Sequence, residues 1–408
     1  MEEQQETPTP LGEHGDGQTD DLLIVPTQTA APDEEEDFGG IHVRLAHYLR
    51  DVLAWNASDL HITVGRPPMV RIDGTIREHT SAHELDAATI GAMLRTTMDE
   101  NHWETYEHRR QVDYSLTLPG YGRFRVNAYH QMGTPAAAFR AIRERIPTMG
   151  ELGVPAEVER MAHFPYGLVL FVGPTGSGKS STQAALVGSL NQQQPCHILT
   201  IEDPIEYVHR HGTAMINQRE VGADVRSFAD GLRAALREDP DIILLGEMRD
   251  EESISITLTL AETGHLVFAT LHTNDASQAI DRIVDSYPAE RRDQIETQLS
   301  GALQGVVSQR LLPRIGGGRA AAYEVMVAND AVRNLIREGK TRQLRNVVAT
   351  SSAEGMRTLE ASLDALVRAG TVSYADAIAT SQYPKEIKDP KMAAAIAAAH
   401  DAALAGRR

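Results

Sequence analysis

The 408-residue chain predicts an α/β protein with a parallel-rich central sheet, preceded by a small α+β domain. Three observations carry this. From residue 167 onward, apolar strand-like runs alternate with helix-like runs, the order expected of a parallel sheet covered on both faces. A glycine-rich turn, GPTGSGKS (Gly173–Ser180), sits between an apolar run and a helix-forming run. Between residues 41 and 145 the signals are instead those of two helical stretches interleaved with hairpin-like strands.

Residues 1–40 contain twelve Asp and Glu and no Lys or Arg, and read as a disordered acidic tail. They carry -12 of the net charge of -18, so the other 368 residues carry only -6. A mildly acidic body with no basic surplus argues against nucleic acid as a direct partner. The single cysteine, Cys196, excludes an internal disulfide framework and a Cys-rich zinc site. No apolar run approaches the roughly 20 residues of a membrane span. No signal peptide is legible at the amino terminus.

In the α+β domain, Ile41, Leu45, Tyr48, Leu49 and Val52 recur at helical spacing. LHITV and MVRIDGTIRE read as strands, the second a hairpin turning on Asp73-Gly74. A helical stretch near 84–99 precedes the strand-like QVDYSLTL, GRFRVNAYH and AAAFRAI. IPTMGELGVP (residues 146–155), with two Pro and two Gly, reads as a linker. Strands follow at GLVLFVG, HILTIE, DIILL and HLVFATLH, with helices starting at Lys179 and near 226–237 and 251–262. From about residue 290 the pattern is mainly helical, with AAYEVMVA as a late strand and an alanine-rich tail over 385–408.

The turn Gly173, Pro174, Thr175, Gly176, Ser177, Gly178, Lys179, Ser180 satisfies the phosphate-loop pattern in the required strand–turn–helix setting, with Ser181 following in the helix. Its backbone N–H groups close around phosphates, Lys179 reaches the β/γ-phosphates and Ser180 ligates Mg2+. The ligand is therefore ATP or GTP. TIEDPIEY places Glu202, Asp203 and Glu206 at the carboxyl end of the next strand, where ligands of such sheets bind. An acid there positions or deprotonates water, or holds Mg2+ through water; spacing does not divide these roles. In PDIILLGEMRD a buried strand delivers Gly246 and Glu247 where an aspartate is usual. His265 and His272 bracket an apolar strand and, seven residues apart, point to opposite faces. Arg123, Arg125 and Arg140 are surface charges on composition alone, although hydrolysis at such sites commonly draws on an arginine from another domain or subunit.

Gly173–Ser180, TIEDPIEY, LREDPDIILLGEMRD and ETGHLVFATLHTNDA occur in the order and spacing of the secretion-superfamily hexameric ATPases, which the chain resembles from about residue 41 to about 380. SDLHITVGRPPMVRIDG and AVRNLIREGKTRQL resemble the type IV pilus retraction branch, with Val332 where isoleucine is common. The resemblance implies a PAS-like domain (41–145), a linker (146–155) and a RecA-like ATPase domain (156–384) with a helical carboxy-terminal part. It also implies Mg2+-dependent ATP hydrolysis in a homo-hexamer and an inner-membrane platform protein as partner. The location implied is the cytoplasm, peripheral at the inner membrane. By the same resemblance Glu206 is the catalytic base and Glu247 the Walker B glutamate. His265 and His272 are its histidine pair, and Arg125 and Arg140 are the arginines that reach the phosphates. Extension and type II secretion ATPases of the superfamily carry a four-cysteine zinc element, which one cysteine cannot supply. The accessory retraction paralogue is the other close alternative.

Overall fold

The structure, a computed structural model, describes residues 38–72, 74–79, 83–142 and 145–390. The acidic segment up to residue 37, Asp73 of the expected hairpin turn, and the alanine-rich residues from 391 on lie outside the described residues. The chain divides into two compact units. The first takes in the described residues up to Gln111 with Leu118–Tyr121 and Ala128–Phe139. The second takes in Val112–Thr117, Gly122–Asn127 and everything described from Arg140 on.

The amino-terminal strands are β1 (Asp59–Thr63), β2 (Met69–Ile72), β3 (Thr75–Glu78), β4 (Gln111–Leu118), β5 (Gly122–Gln131) and β6 (Thr134–Ile142). They form one six-stranded sheet in the order β3-β2-β1-β6-β5-β4. Strands β2 and β3 pair antiparallel with Ile72 opposite Thr75, the register a two-residue turn requires. The helix Val43–Ala54 buries Leu45, Leu49 and Val52 completely, the stripe its spacing predicts. The expected helix near 84–99 is shorter, Ala87–Arg95, because Asp86 caps it, accepting from Thr89 N at 2.7 Å. A second helix, Glu100–Arg109, follows on its own cap, Asp99.

The second sheet has seven strands: β7 (Gly167–Val172), β8 (His197–Glu202), β9 (Met215–Glu220), β10 (Ile242–Leu245), β11 (Leu266–Leu271), β12 (Leu303–Pro313) and β13 (Arg319–Val327). Their order is β13-β12-β7-β11-β10-β8-β9. All neighbours run parallel except β12 and β13, which form an antiparallel hairpin. Alternate residues feed two cores, one on each face. Leu168, Leu170, Val172, Leu199, Ile201, Leu245 and Val267 lie in one. Val169, Phe171, Ile198, Leu244 and Phe268 lie in the other. Burial on both faces is why β7 and β11 read as unbroken apolar runs.

Two strands depart from expectation. The segment 303–313 is not helical but forms β12, an eleven-residue strand beside β7. Leu303, Val306 and Val307 fall at helical spacing, and the polar Ser308 and Gln309 break the apolar run, yet both are buried, at 1% and 2% exposure. The segment MINQRE, predominantly polar, forms the edge strand β9 paired with β8. Within 146–155, Thr148 and Glu151 build a capping box around the short helix Met149–Leu152.

Candidate nucleotide-hydrolysis site

The strand β7 ends at Val172 and the helix Lys179–Gln193 begins after six intervening residues, so the glycine-rich turn spans the gap. Glycine is required at both of its ends. A Cβ on Gly173 (φ +147°) would lie 2.6 Å from Gln309 O, and Gly178 (φ +90°) is backed by Gln309 Nε2 at 2.7 Å from its own Cβ position. Lys179 is 7% exposed, and its Nζ donates to Gly173 O (2.7 Å) and Pro174 O (3.2 Å). Burial holds its pKa below the ordinary lysine value, opposed by Glu247 and Glu206. The Ser177 hydroxyl is buried without a hydrogen-bond partner among the described residues, inside a loop whose task is to meet an anion.

Beyond the loop lies a cavity of about 480 Å³ lined by Thr175 through Ser181, by Glu202, Asp203, Glu206, Gly246, Glu247 and His272, and by Arg125. The parallel strands bring these together because β7, β8, β10 and β11 all end on this side.

The acids are not equivalent. Glu202 accepts from Thr200 Oγ1 (2.7 Å) and Gln218 Nε2 (3.1 Å), and burial pushes its carboxyl up from the usual range. Asp203 meets Arg249 Nη1 at 3.3 Å. Arg249 also donates through Nε to Glu247 Oε2 at 2.6 Å, and Glu247 Oε1 lies 3.4 Å from His272 Nε2. Glu206 is exposed and faces the cavity. Burial first, then Lys179, lowers the His272 pKa, so the ring is neutral near pH 7.

His265 and Arg140 are placed elsewhere. His265 precedes β11 at its amino end, about 20 Å of strand from the cavity side, and its Nδ1 donates to Leu260 O at 3.0 Å. Arg140, exposed near the end of β6, does not line the cavity, whereas Arg125 does. Arg123 pairs with Glu220 at 2.8 Å.

Several contributors escaped the sequence. Gln309 supports the loop from β12, and Arg319 at the start of β13 lines the cavity with Leu311. Tyr207 bonds Ser181 Oγ through its hydroxyl at 2.7 Å. Arg249, two residues after Glu247, was within reach of a charge-pattern reading; Gln309 and Gln218 lie on strands that hydropathy alone does not reveal.

Comparison with known proteins agrees with this geometry. The profile described as "Type II/IV secretion system protein" matches residues 34–317. The chain belongs to the type II/IV secretion system protein family. Within that family it is 47% identical over 329 residues to the type IV pilus retraction ATPase PilT of Pseudomonas aeruginosa, covering 81% of this chain and 95% of that protein. It is 48% identical over 307 residues to a twitching motility protein of Neisseria gonorrhoeae, covering 75% of this chain and 82% of that one. A crystal structure of the pilus retraction motor PilT with bound ADP superposes with a TM-score of 0.79 at 46% identity, covering 84% of this chain and 98% of that chain. The α/β ATPase fold read from the sequence is therefore shared with a family member that holds a nucleotide.

Proposed function

We propose that the protein is an ATP-hydrolysing motor that powers retraction of a type IV pilus. The observation that carries this is the convergence of the glycine-rich loop, Glu206, Glu247 and His272 on one cavity, in a chain nearly half identical to pilus retraction ATPases. The backbone N–H groups of residues 175–180 and the amino end of the helix Lys179–Gln193 hold the phosphates. Lys179 exchanges its two loop carbonyls for phosphate oxygens. Glu206, exposed at the cavity, accepts the proton of the attacking water. Glu247, oriented by Arg249 and His272, fixes that water and the metal side. Arg125 offsets the charge that develops on the γ-phosphate.

The donors fit Mg2+, a hard cation that prefers oxygen ligands and keeps several waters. Ser180 and Glu247 would hold it, Glu247 exchanging its Arg249 contact for the ion, with Asp203, more loosely paired to the same Arg249, able to reach it through water; Glu202 is engaged by Thr200 and Gln218. Held there, such an ion would supply positive charge against the charge that builds on the phosphates.

The working unit we propose is a homo-hexamer of PAS-like (41–145) and RecA-like (156–384) domains joined by the 146–155 linker. Nucleotide state biases the angle between the domains. Among the described residues no helix is long and apolar enough to cross a membrane. The proposed location, cytoplasmic with attachment to the inner membrane through a pilus platform protein, rests on the likeness to pilus retraction ATPases. The roles of Arg140 and His265 rest on the resemblance alone.

The biochemical test pairs two variants. Lys179→Ala should lose ADP binding, and Glu206→Ala should keep it while losing on the order of 100-fold or more in phosphate release. Near-normal turnover in Glu206→Ala overturns the base assignment. In the source cell, deletion should leave surface pili that accumulate without retracting; bald cells would mean extension instead.

A further inference from the structure

Glu206 lies on a loop rather than on a strand, and a group that must act within a fraction of an ångström needs its loop held. The segment 203–209 leaves β8 after Glu202 and runs beside the edge strand β9. From β9, Gln218 reaches three points on it. Its Nε2 donates to Glu202 Oε1 (3.1 Å) and to Tyr207 O (2.8 Å), while its Oε1 accepts from His209 N (2.7 Å). A primary amide has two N–H donors and one carbonyl acceptor, so every polar atom of this side chain is spent on the segment that carries Glu206. Two residues along the same face, buried Glu220 accepts from Ile205 N at 3.1 Å. The loop is thus tied at 205, 207 and 209, and its root at Glu202, on both sides of Glu206. Gln218 does not line the cavity itself.

We propose that Gln218 is a positioning residue for hydrolysis, acting through the loop to hold Glu206 against the attacking water. This rests on the assignment of Glu206 as the base. Without the amide, the loop keeps its covalent path, its Glu220 bond, the Tyr207–Ser181 bond and the Asp203–Arg249 pair, but loses both main-chain ties that flank Glu206 on its far side, at Tyr207 O and His209 N, and the bond to Glu202 at its root. Nucleotide binding, which belongs to the glycine-rich loop and Lys179, is unaffected.

Gln218→Met, similar in volume and unable to make these bonds, is the test. Phosphate release should fall on the order of 10- to 100-fold, the cost of a misplacement near 1 Å, with ADP affinity within about threefold of the parent. In a Glu206→Ala background the same substitution should lower residual turnover no further, because the two residues act as one unit. Gln218→Glu keeps the acceptor for His209 N and loses both donors; it carries the same expectation should the methionine variant fold poorly. Parent-like turnover in either folded variant overturns the proposal, as does a loss of equal size repeated in the Glu206→Ala background. If Glu206→Ala alone turns over normally, the base assignment has failed; if it is inactive and Gln218→Met is not, only the positioning role has failed.

Discussion

At the scale of single residues, Gly246 explains why the strand PDIILLGEMRD carries no aspartate before its glutamate. Gly246 N donates to Ile201 O at 2.8 Å, and a Cβ on Gly246 would lie 3.2 Å from that oxygen and 3.3 Å from Glu202 Cα. Its own carbonyl accepts from Thr270 Oγ1, so the residue is pinned between β8 and β11. An aspartate there would push β8 away from β10 at the point where the acidic loop begins. The carboxylate work is left to Glu247 and the β8 loop. Gly246→Ala should therefore destabilise the protein by about 1–2 kcal/mol, the cost of a small overpacking, and depress turnover by displacing Glu202 and the loop after it. Urea denaturation and phosphate release measure both; an unchanged midpoint would show that the strands have room.

At the scale of elements, β12 does more than extend the sheet. Its Gln309 backs Gly173 and Gly178, and its Oε1 accepts from Thr182 Oγ1 at 2.9 Å inside the core. Thr182 and Gln309 are 0% and 2% exposed, so neither can turn to water. The Tyr323 hydroxyl adds a longer contact to Thr182 and donates to Leu152 O, both at 3.4 Å, linking β13 to the short helix of the 146–155 segment. Thr182→Val keeps the shape and strands the Gln309 oxygen without a donor. An unsatisfied buried acceptor costs about 1–3 kcal/mol, which should appear as a lower urea midpoint with unchanged slope. No loss would mean that Gln309 finds another partner.

For the whole molecule, two buried groups give stability opposing pH dependences. Burial raises the Glu324 carboxyl to about 7, although it accepts from Ala276 N at 3.0 Å. Between the ordinary 4.5 and 7 the folded chain keeps a proton that the unfolded chain releases, so this contribution falls as pH rises through that window. Burial lowers His209 to about 4, so the unfolded chain takes up a proton below 6.5 that the folded chain refuses, and this contribution falls as pH drops from 6.5 to 4. The two offset each other in mildly acidic buffer. Glu324→Gln, which can still accept from Ala276 N, removes the first alone. Its melting temperature relative to the parent should be higher at pH 8 than at pH 5, by the equivalent of up to about 3 kcal/mol. Equal differences at the two pH values would place Glu324 in a less buried setting.

The sequence by itself determined the phosphate loop, the order of acids and histidines along the chain, and the alternation that makes a parallel sheet. These are local facts: a glycine turn between strand and helix, and apolar runs of strand length, mean the same thing wherever the chain goes next. Only the tertiary structure decided which acids are spent and which remain available. All four acids line the cavity, but Glu202 is bonded to Thr200 and Gln218, and Asp203 and Glu247 share Arg249, which leaves Glu206 exposed. It also placed His272, and not His265, at the cavity, in keeping with the two ends of the strand that the sequence assigned them. The strands β9 and β12 were illegible because polar residues interrupt them, and half-buried Gln218 and buried Gln309 are held there by their hydrogen bonds. A hydropathy pattern records the cost of burying an amide but not the partner that repays it, and that partner comes from a distant part of the chain.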